Sequence, residues 1–264
     1  MKKFIAFVED VLRRIHRMSV EEGIAGGCGV TLSFGEQTEE TYERWAQAVG
    51  NRKALRYLLR IETSNLKLFN YLHSGKGGAQ KTWPARLEAL ATLRKLGYQV
   101  GTGVMIGIPG QSLEDLVRDI RTFEELDADM LGMGPYLVSH GGDMVADGMM
   151  QKDALLTLTR NMLAATRLAL PTVNMAAATA LETLVTGGRS LGVLSGCNVI
   201  MPNVTPQRTR ASYQLYDNKQ GTESEPDSNV LLEQELEAVT GRVIGRHRFG
   251  SSLHFRNRNG LSAH

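Results

Sequence analysis

Two charged side chains stand where a strand should be apolar. In "YLLRIETSN" (57–65) Arg60 and Glu62 interrupt a run of Tyr, Leu and Ile. Side chains of a strand alternate between its faces. Leu58, Arg60 and Glu62 therefore share one face, and Leu59, Ile61 and Thr63 the other. When helices cover a sheet, both faces are normally apolar. An Arg and a Glu on the same face either pair with each other at the strand end or meet a charged ligand. In the ligand case a guanidinium holds a carboxylate, and a carboxylate accepts from hydroxyl or ammonium groups. Arg86, just inside a helix start after "TWP", taken alone is a surface residue. "MPN" (201–203), with "TP" at 205–206, ends a strand with loop-shaping groups. That pattern serves ligand contacts in a barrel and ordinary turns equally well.

The remaining reactive side chains point to no second chemistry. His73, His140 and His254 lack metal-type spacing. Cys28 and Cys197 are the only cysteines. They form no disulfide framework and no zinc or cluster motif, and their use fits a reducing compartment. Met105, Met130, Met133 and Met201 read as flexible core filling. "RHR" and "RNR" near the C-terminus have no interleaved aromatic platform, so they read as a solvated basic tail. A formal charge of +2, from 30 basic and 28 acidic residues, gives no reason to expect nucleic acid or an anionic membrane surface. No apolar run approaches the ~20 residues of a membrane span.

The elements that must position these residues alternate. The first residues, "KKFIAFVEDVLRRIHRM", carry apolar side chains at helical spacing (Phe4, Phe7, Val8, Val11, Leu12, Ile15), with Glu9 and Asp10 counting against a targeting peptide. Strands are expected at 29–34, 55–62, 98–110, 129–138, 172–180 and 197–203. Helices are expected at 38–50, capped by Thr38, at 84–97, between Pro84 and Gly97, and at 112–127, opened by Ser112 and Asp115. Further helices are expected at 151–170, about 181–193, and 230–241, the last after the polar linker 217–229. Such alternation argues for βαβ units and a parallel sheet. "GTGVMIG" does not open a helix and so fails as a dinucleotide fingerprint. The expected fold is α/β, a partial (β/α) TIM-type barrel of about six βα units.

Taken together in this order, "YLLRIETSN", "LRKLGYQVGTGVMIGIPGQSLEDLVRDI", "MLGMGPYL", "TGGR", "CNVIMPNVTP" and "YQLY" resemble the FeFe-hydrogenase maturases of the radical SAM superfamily. More broadly they resemble the biotin synthase and methylornithine synthase group. The resemblance covers about residues 4–217 and implies a radical SAM barrel without its first two strands. It implies a core-like segment at 1–139, a biotin and thiamin synthesis-associated-like segment at 140–217, and a linker, helix and basic tail at 218–264. It also implies S-adenosylmethionine and a 4Fe-4S cluster as cofactors, with radical chemistry in assembly of the hydrogenase active-site cluster. By motif, Arg60, Glu62 and Arg86 match residues that hold S-adenosylmethionine. Thr179, Tyr213 and Tyr216 match the substrate side, with Ala178 where the family usually has a second threonine. The implied partners are a small organometallic iron–cysteine precursor and other hydrogenase maturation proteins. The implied compartment is the cytoplasm or an organellar matrix.

One departure is large. The family holds its cluster on C-x3-C-x2-C, and this sequence has no such motif. The expectation is therefore a shortened maturase lacking the N-terminal cluster-binding segment. The alternatives are a cluster-free pseudoenzyme that binds or scaffolds, or a fragment of a biotin or methylornithine synthase-like enzyme.

Overall fold

The computed structural model describes residues 2–24, 26–51, 55–73, 81–138, 148–202, 228–245 and 250–261. The chain divides into two compact units. The first comprises residues 1–103, 121–131 and 246–264, and the second 104–120 and 132–245.

In the first unit, α1 (Lys2–Glu21) leads to β1 (Val30–Leu32), α2 (Glu39–Ala48), β2 (Leu55–Leu58), α3 (Leu66–His73), α4 (Trp83–Lys95) and β3 (Gln99–Thr102). β1 pairs with β2, and β2 with β3, all parallel, with Val30 opposite Leu55 and Arg56 opposite Gln99. β5 (Met130–Pro135) begins in this unit, where Met130 and Leu131 pair with Gly101 and Thr102. The outer face of β2 is apolar and fully covered: Leu55, Tyr57, Leu59 and Ile61 are buried. Tyr57 stacks on Trp45 and meets Tyr42 edge-on, with ring centroids 6.4 and 5.1 Å apart. Each such side chain taken out of water contributes on the order of 1.5–3 kcal/mol. Burial pushes the Tyr42 phenol up to about 12 and the Tyr57 phenol higher still. Both remain neutral packing groups with their hydroxyls bonded: Tyr42 Oη accepts from Gln37 N, and Tyr57 Oη donates to the Gly35 carbonyl.

The helix ends follow local chemistry. Thr38 and Thr82 cap α2 and α4 through their hydroxyls, and Pro84 lies in the first turn of α4. α1 is helical as its spacing requires, but Phe4 and Phe7 remain exposed while Ile5, Val8 and Leu12 are buried.

The expected strand at 98–110 is broken. β3 ends at Thr102, and β4 (Met105–Ile106) pairs with a different part of β5, opposite Gly134 and Pro135 in the second unit. Within β3, Gly101 lets β5 approach closely, because a Cβ there would sit 2.4 Å from the Met130 methyl. α5 (Leu113–Glu125) opens on a reciprocal box, with Ser112 Oγ accepting from Asp115 N and the Asp115 carboxylate from Ser112 N. The second unit continues with α6 (Lys152–Ala169), β6 (Asn174–Ala177), α7 (Thr179–Leu184), α8 (Gly188–Leu194), β7 (Val199–Ile200) and α9 (Ser228–Thr240). Its strands run β5–β6–β7, with β4 on β5, and the β6–β7 pair is again parallel.

The class is α/β with parallel strands, a partial (β/α) barrel as expected. No helix among the described residues is long and apolar enough to cross a membrane. The C-terminal end differs from expectation. Residues 250–261 are not a free basic tail. They contain α10 (Leu253–Arg258), with Ser252 and Phe255 buried in the first unit. Of the basic residues that suggested solvation, Arg258 is matched by acids distant in sequence, Asp127 and Asp129, as is the neighbouring His254 by Asp127; "RHR" (246–248) lies outside the described residues.

Candidate functional site

The inner face of β2 carries the charges. Arg56, Leu58, Arg60 and Glu62 are half-buried while their odd-numbered neighbours are buried. Past Leu58 the strand keeps its ladder, with Leu59 N donating to the Gly101 carbonyl at 2.9 Å. Then Ile61 N and Glu62 N both donate to the Gly103 carbonyl, at 3.1 and 3.0 Å. Two consecutive amides on one carbonyl make a bulge, which turns the chain and re-aims the next side chain.

Glu62 takes this turn at φ +62°; among the described non-glycine residues only it and Asp127 have positive φ. A side chain in the left-handed region costs about 1–2 kcal/mol, and such strain concentrates at ligand sites. The turn is held from both sides. Asn65 N donates to Thr63 Oγ1, and Asn65 Oδ1 accepts from Lys67 N and Leu68 N to start α3. The result brings the two charges together: Arg60 Nε donates to both Glu62 carboxylate oxygens at 3.0 Å, and Nη2 to Oε2 at 2.8 Å. Roughly a quarter of each side chain is exposed, so the pair is screened and worth at most about 1 kcal/mol. It does not repay the backbone strain.

Arg86 lies elsewhere than a surface arginine would. It is buried in the first turns of α4. Its Nε donates to Glu36 Oε1 at 2.5 Å, and its Nη1 to the Arg60 carbonyl. Its guanidinium sits over the Phe69 ring, 5.8 Å from the centroid. Arg86 thus ties the end of β1 to the backbone just before the strained turn. Glu36 was missed in the sequence, although an acid at the C-terminal end of a barrel strand, in "SFGEQT", is a usable signal. His73 stacks on Phe69 and bonds its carbonyl through Nδ1 at 2.8 Å. Burial first, and then the Arg86 charge, holds its imidazole below the ordinary value.

Arg56 is a second residue the sequence reading passed over. Its Nε donates to Thr31 Oγ1 at 2.8 Å, while its buried Nη1 has no hydrogen-bond partner among the described residues. Strand alternation alone would have found it, since 56, 58, 60 and 62 share a face.

In the second unit Thr179 opens α7 at the C-terminal end of β6, half-buried. Ala178 before it faces Gly134, where a Cβ would lie 2.9 Å from the Ala178 methyl. The "GIPGQ" loop is fixed by its own glutamine: Gln111 Oε1 accepts from Gly107 N and Ile108 N, and Nε2 donates to the Met105 carbonyl. Tyr213, Tyr216 and His140 lie outside the described residues.

An iron–sulfur cluster does not fit the donors of this sequence. Three thiolates are required at close spacing, and there are two cysteines in all. Cys197 is fully buried, and burial, against the pull of Arg167, pushes its thiol up to about 12. No group of three or more His, Cys, Asp or Glu that could hold a metal ion occurs among the described residues. What the site presents is an Arg and a Glu together, each about a quarter exposed, on a strained turn.

No family model matches the chain. It is 38% identical over 239 residues to the [FeFe] hydrogenase maturase subunit HydE of Thermotoga maritima, a match over 90% of this chain and 63% of that protein. Its fold is that of a solved methylornithine synthase, PylB, with a TM-score of 0.69 at 18% identity. That match covers 93% of this chain and 64% of the synthase chain. The chain therefore spans just under two thirds of the length of both proteins.

Proposed function

We propose that this chain, a homologue of the [FeFe] hydrogenase maturase of the radical SAM superfamily, binds S-adenosylmethionine on the inner face of β2 and serves FeFe-hydrogenase maturation. The observation that carries this reading is the Arg60–Glu62 pair on the left-handed turn after β2. Its geometry suits a ligand with a carboxylate, an ammonium and vicinal hydroxyls. On binding, Arg60 exchanges Glu62 for the ligand carboxylate, and the freed Glu62 accepts from the ammonium or ribose hydroxyls. Arg86 acts from behind: its bond to the Arg60 carbonyl holds the turn, and its partner Glu36 balances its buried charge. In this assignment Thr179, with Tyr213 and Tyr216, faces a small-molecule substrate, and other maturation proteins are the partners. The radical SAM family holds a 4Fe-4S cluster on three thiolates; those ligands are not in this sequence, and no step of this assignment passes through a cluster.

A second reading has its own support in the cysteine content: a cluster-free protein that binds S-adenosylmethionine or a partner without cleaving it. The test common to both is isothermal calorimetry with S-adenosylmethionine. Glu62→Ala is expected to weaken binding at least tenfold relative to the native chain. Equal affinity in the two proteins would refute the site.

A further inference from the structure

The inner face of the first unit has a closed end. Gly101 and Leu58 share that face, because a Cβ on Gly101 would lie 3.2 Å from Leu58 Cδ1. By alternation Arg56 and Gln99 lie on it too, and the two are register partners. Arg56 is the second residue of β2 and Gln99 the first of β3, so both sit at the N-terminal end of the sheet. That end is about 13 Å below Arg60, at ~3.3 Å per residue.

What covers them comes from the far end of the chain. Gln99 Nε2 donates to Ser251 Oγ at 2.9 Å. Gly250 lies flat against the Arg56 guanidinium: a Cβ there would be 3.0 Å from Nη1, and φ is +58°. Next come Ser252, which caps α10 by accepting from Phe255 N, and Phe255, buried beneath the Arg258 guanidinium. A hub of charge anchors the helix. Asp127 accepts from Arg94, Arg258 and His254, and Asp129 accepts from Arg258 and from Val100 N.

We propose that residues 250–261 are the floor of the ligand face, and that Gly250 and Ser251 are positioning residues that hold the Arg56 guanidinium and the Gln99 amide at its closed end. The proposal rests on the preceding section only in calling this face the ligand face. The closure itself is a statement about side chains of one unit. Neither residue touches the proposed S-adenosylmethionine groups.

The test is arginine-selective labelling of the native chain with phenylglyoxal, read residue by residue by peptide mass spectrometry. Arg60 serves as the internal reference. Arg56 is expected to react at least tenfold more slowly than Arg60. Arg258→Gln, which removes the anchor, and Gly250→Val, which puts a branched side chain against the guanidinium, are each expected to raise the Arg56 rate at least fivefold with the Arg60 rate unchanged. Ser251→Ala is expected to raise it to a smaller extent, and Ser251→Thr, which keeps the hydroxyl, to restore protection. Amide exchange across β2 and β3 in each variant distinguishes loss of the floor from unfolding. Equal Arg56 and Arg60 rates in the native chain would overturn the proposal. So would an unchanged Arg56 rate in a variant whose α10 amides exchange freely. Failure of S-adenosylmethionine to bind would leave these labelling outcomes as they are, so the two ideas fail separately.

Discussion

Glu62 meets Arg60 from a left-handed turn and not from a regular strand. Alternation puts Arg60 and Glu62 on one face, and the side chains do meet. The strand, however, does not run regularly that far: Ile61 and Glu62 share one acceptor, and Glu62 sits at φ +62°. No periodicity encodes that turn, because it depends on the Gly103 carbonyl some forty residues later and on Arg86 from α4. The strain gives a separable prediction. Glu62→Ala and Glu62→Gly both remove the carboxylate and its pair with Arg60, but only alanine keeps a Cβ in the left-handed region. The glycine variant is therefore expected to be more stable than the alanine variant by about 1 kcal/mol, measured by urea denaturation. Both are expected to lose S-adenosylmethionine affinity alike. Equal stability would mean that the turn relaxes when the carboxylate goes. Arg86 shows the converse: its type and motif singled it out, while its burial and its bond to the Arg60 carbonyl were legible only in the fold.

At the scale of elements, the local signals translate directly. Thr38 and the Ser112–Asp115 box cap the helices they were expected to cap, and Thr82 caps α4 just ahead of the expected Pro84, because a cap is a contact within four residues. The third expected strand splits, and α10 forms where a tail is expected, because both depend on distant partners. α10 has six residues and a basic sequence, and nothing local says that Asp127 and Asp129 receive it. Its docking should carry a pH signature. Burial alone would raise the Asp127 carboxyl, but the His254 hydrogen bond with the Arg94 and Arg258 charges outweighs it, and the value is lowered. A depressed carboxylate contributes stability above its unfolded value and loses it as pH falls through the folded one. Asp129, raised by burial against its bonds to Arg258 and Val100, acts in the opposite sense and is relieved by acid. Asp127 contacts α10 through both His254 and Arg258 and Asp129 through Arg258 alone, so protection of the α10 amides is expected to follow Asp127, holding from neutral pH to about 4 and falling below it. Hydrogen exchange across that range reads this out. Asp127→Asn should flatten the acid limb, and an unchanged limb in that variant would remove Asp127 from the latch.

At the scale of the whole chain, homology to a maturase and the donor inventory pull apart. The match extends over 90% of this chain and includes the strand that carries Arg60 and Glu62, while the chain contains two cysteines. Cluster iron is held by thiolates, and a thiol pushed up to about 12 is protonated at neutral pH, so Cys197 is a poor ligand. That leaves Cys28, half-buried beside the Gly-rich turn before β1. A single thiolate cannot stand in for three at C-x3-C-x2-C spacing. The expected outcome follows for this polypeptide as it stands. Anaerobic reconstitution with iron and sulfide, followed by desalting, should leave iron far below one cluster per chain. Incubation with dithionite and S-adenosylmethionine should then yield no 5′-deoxyadenosine above a protein-free control by mass spectrometry. Calorimetry on the same preparation should still register S-adenosylmethionine, with Glu62→Ala weakening that binding at least tenfold. Cys28→Ser should leave both readouts unchanged. Stoichiometric iron together with 5′-deoxyadenosine would mean that donors other than cysteine complete the cluster, and would overturn the separation of binding from chemistry argued for this chain.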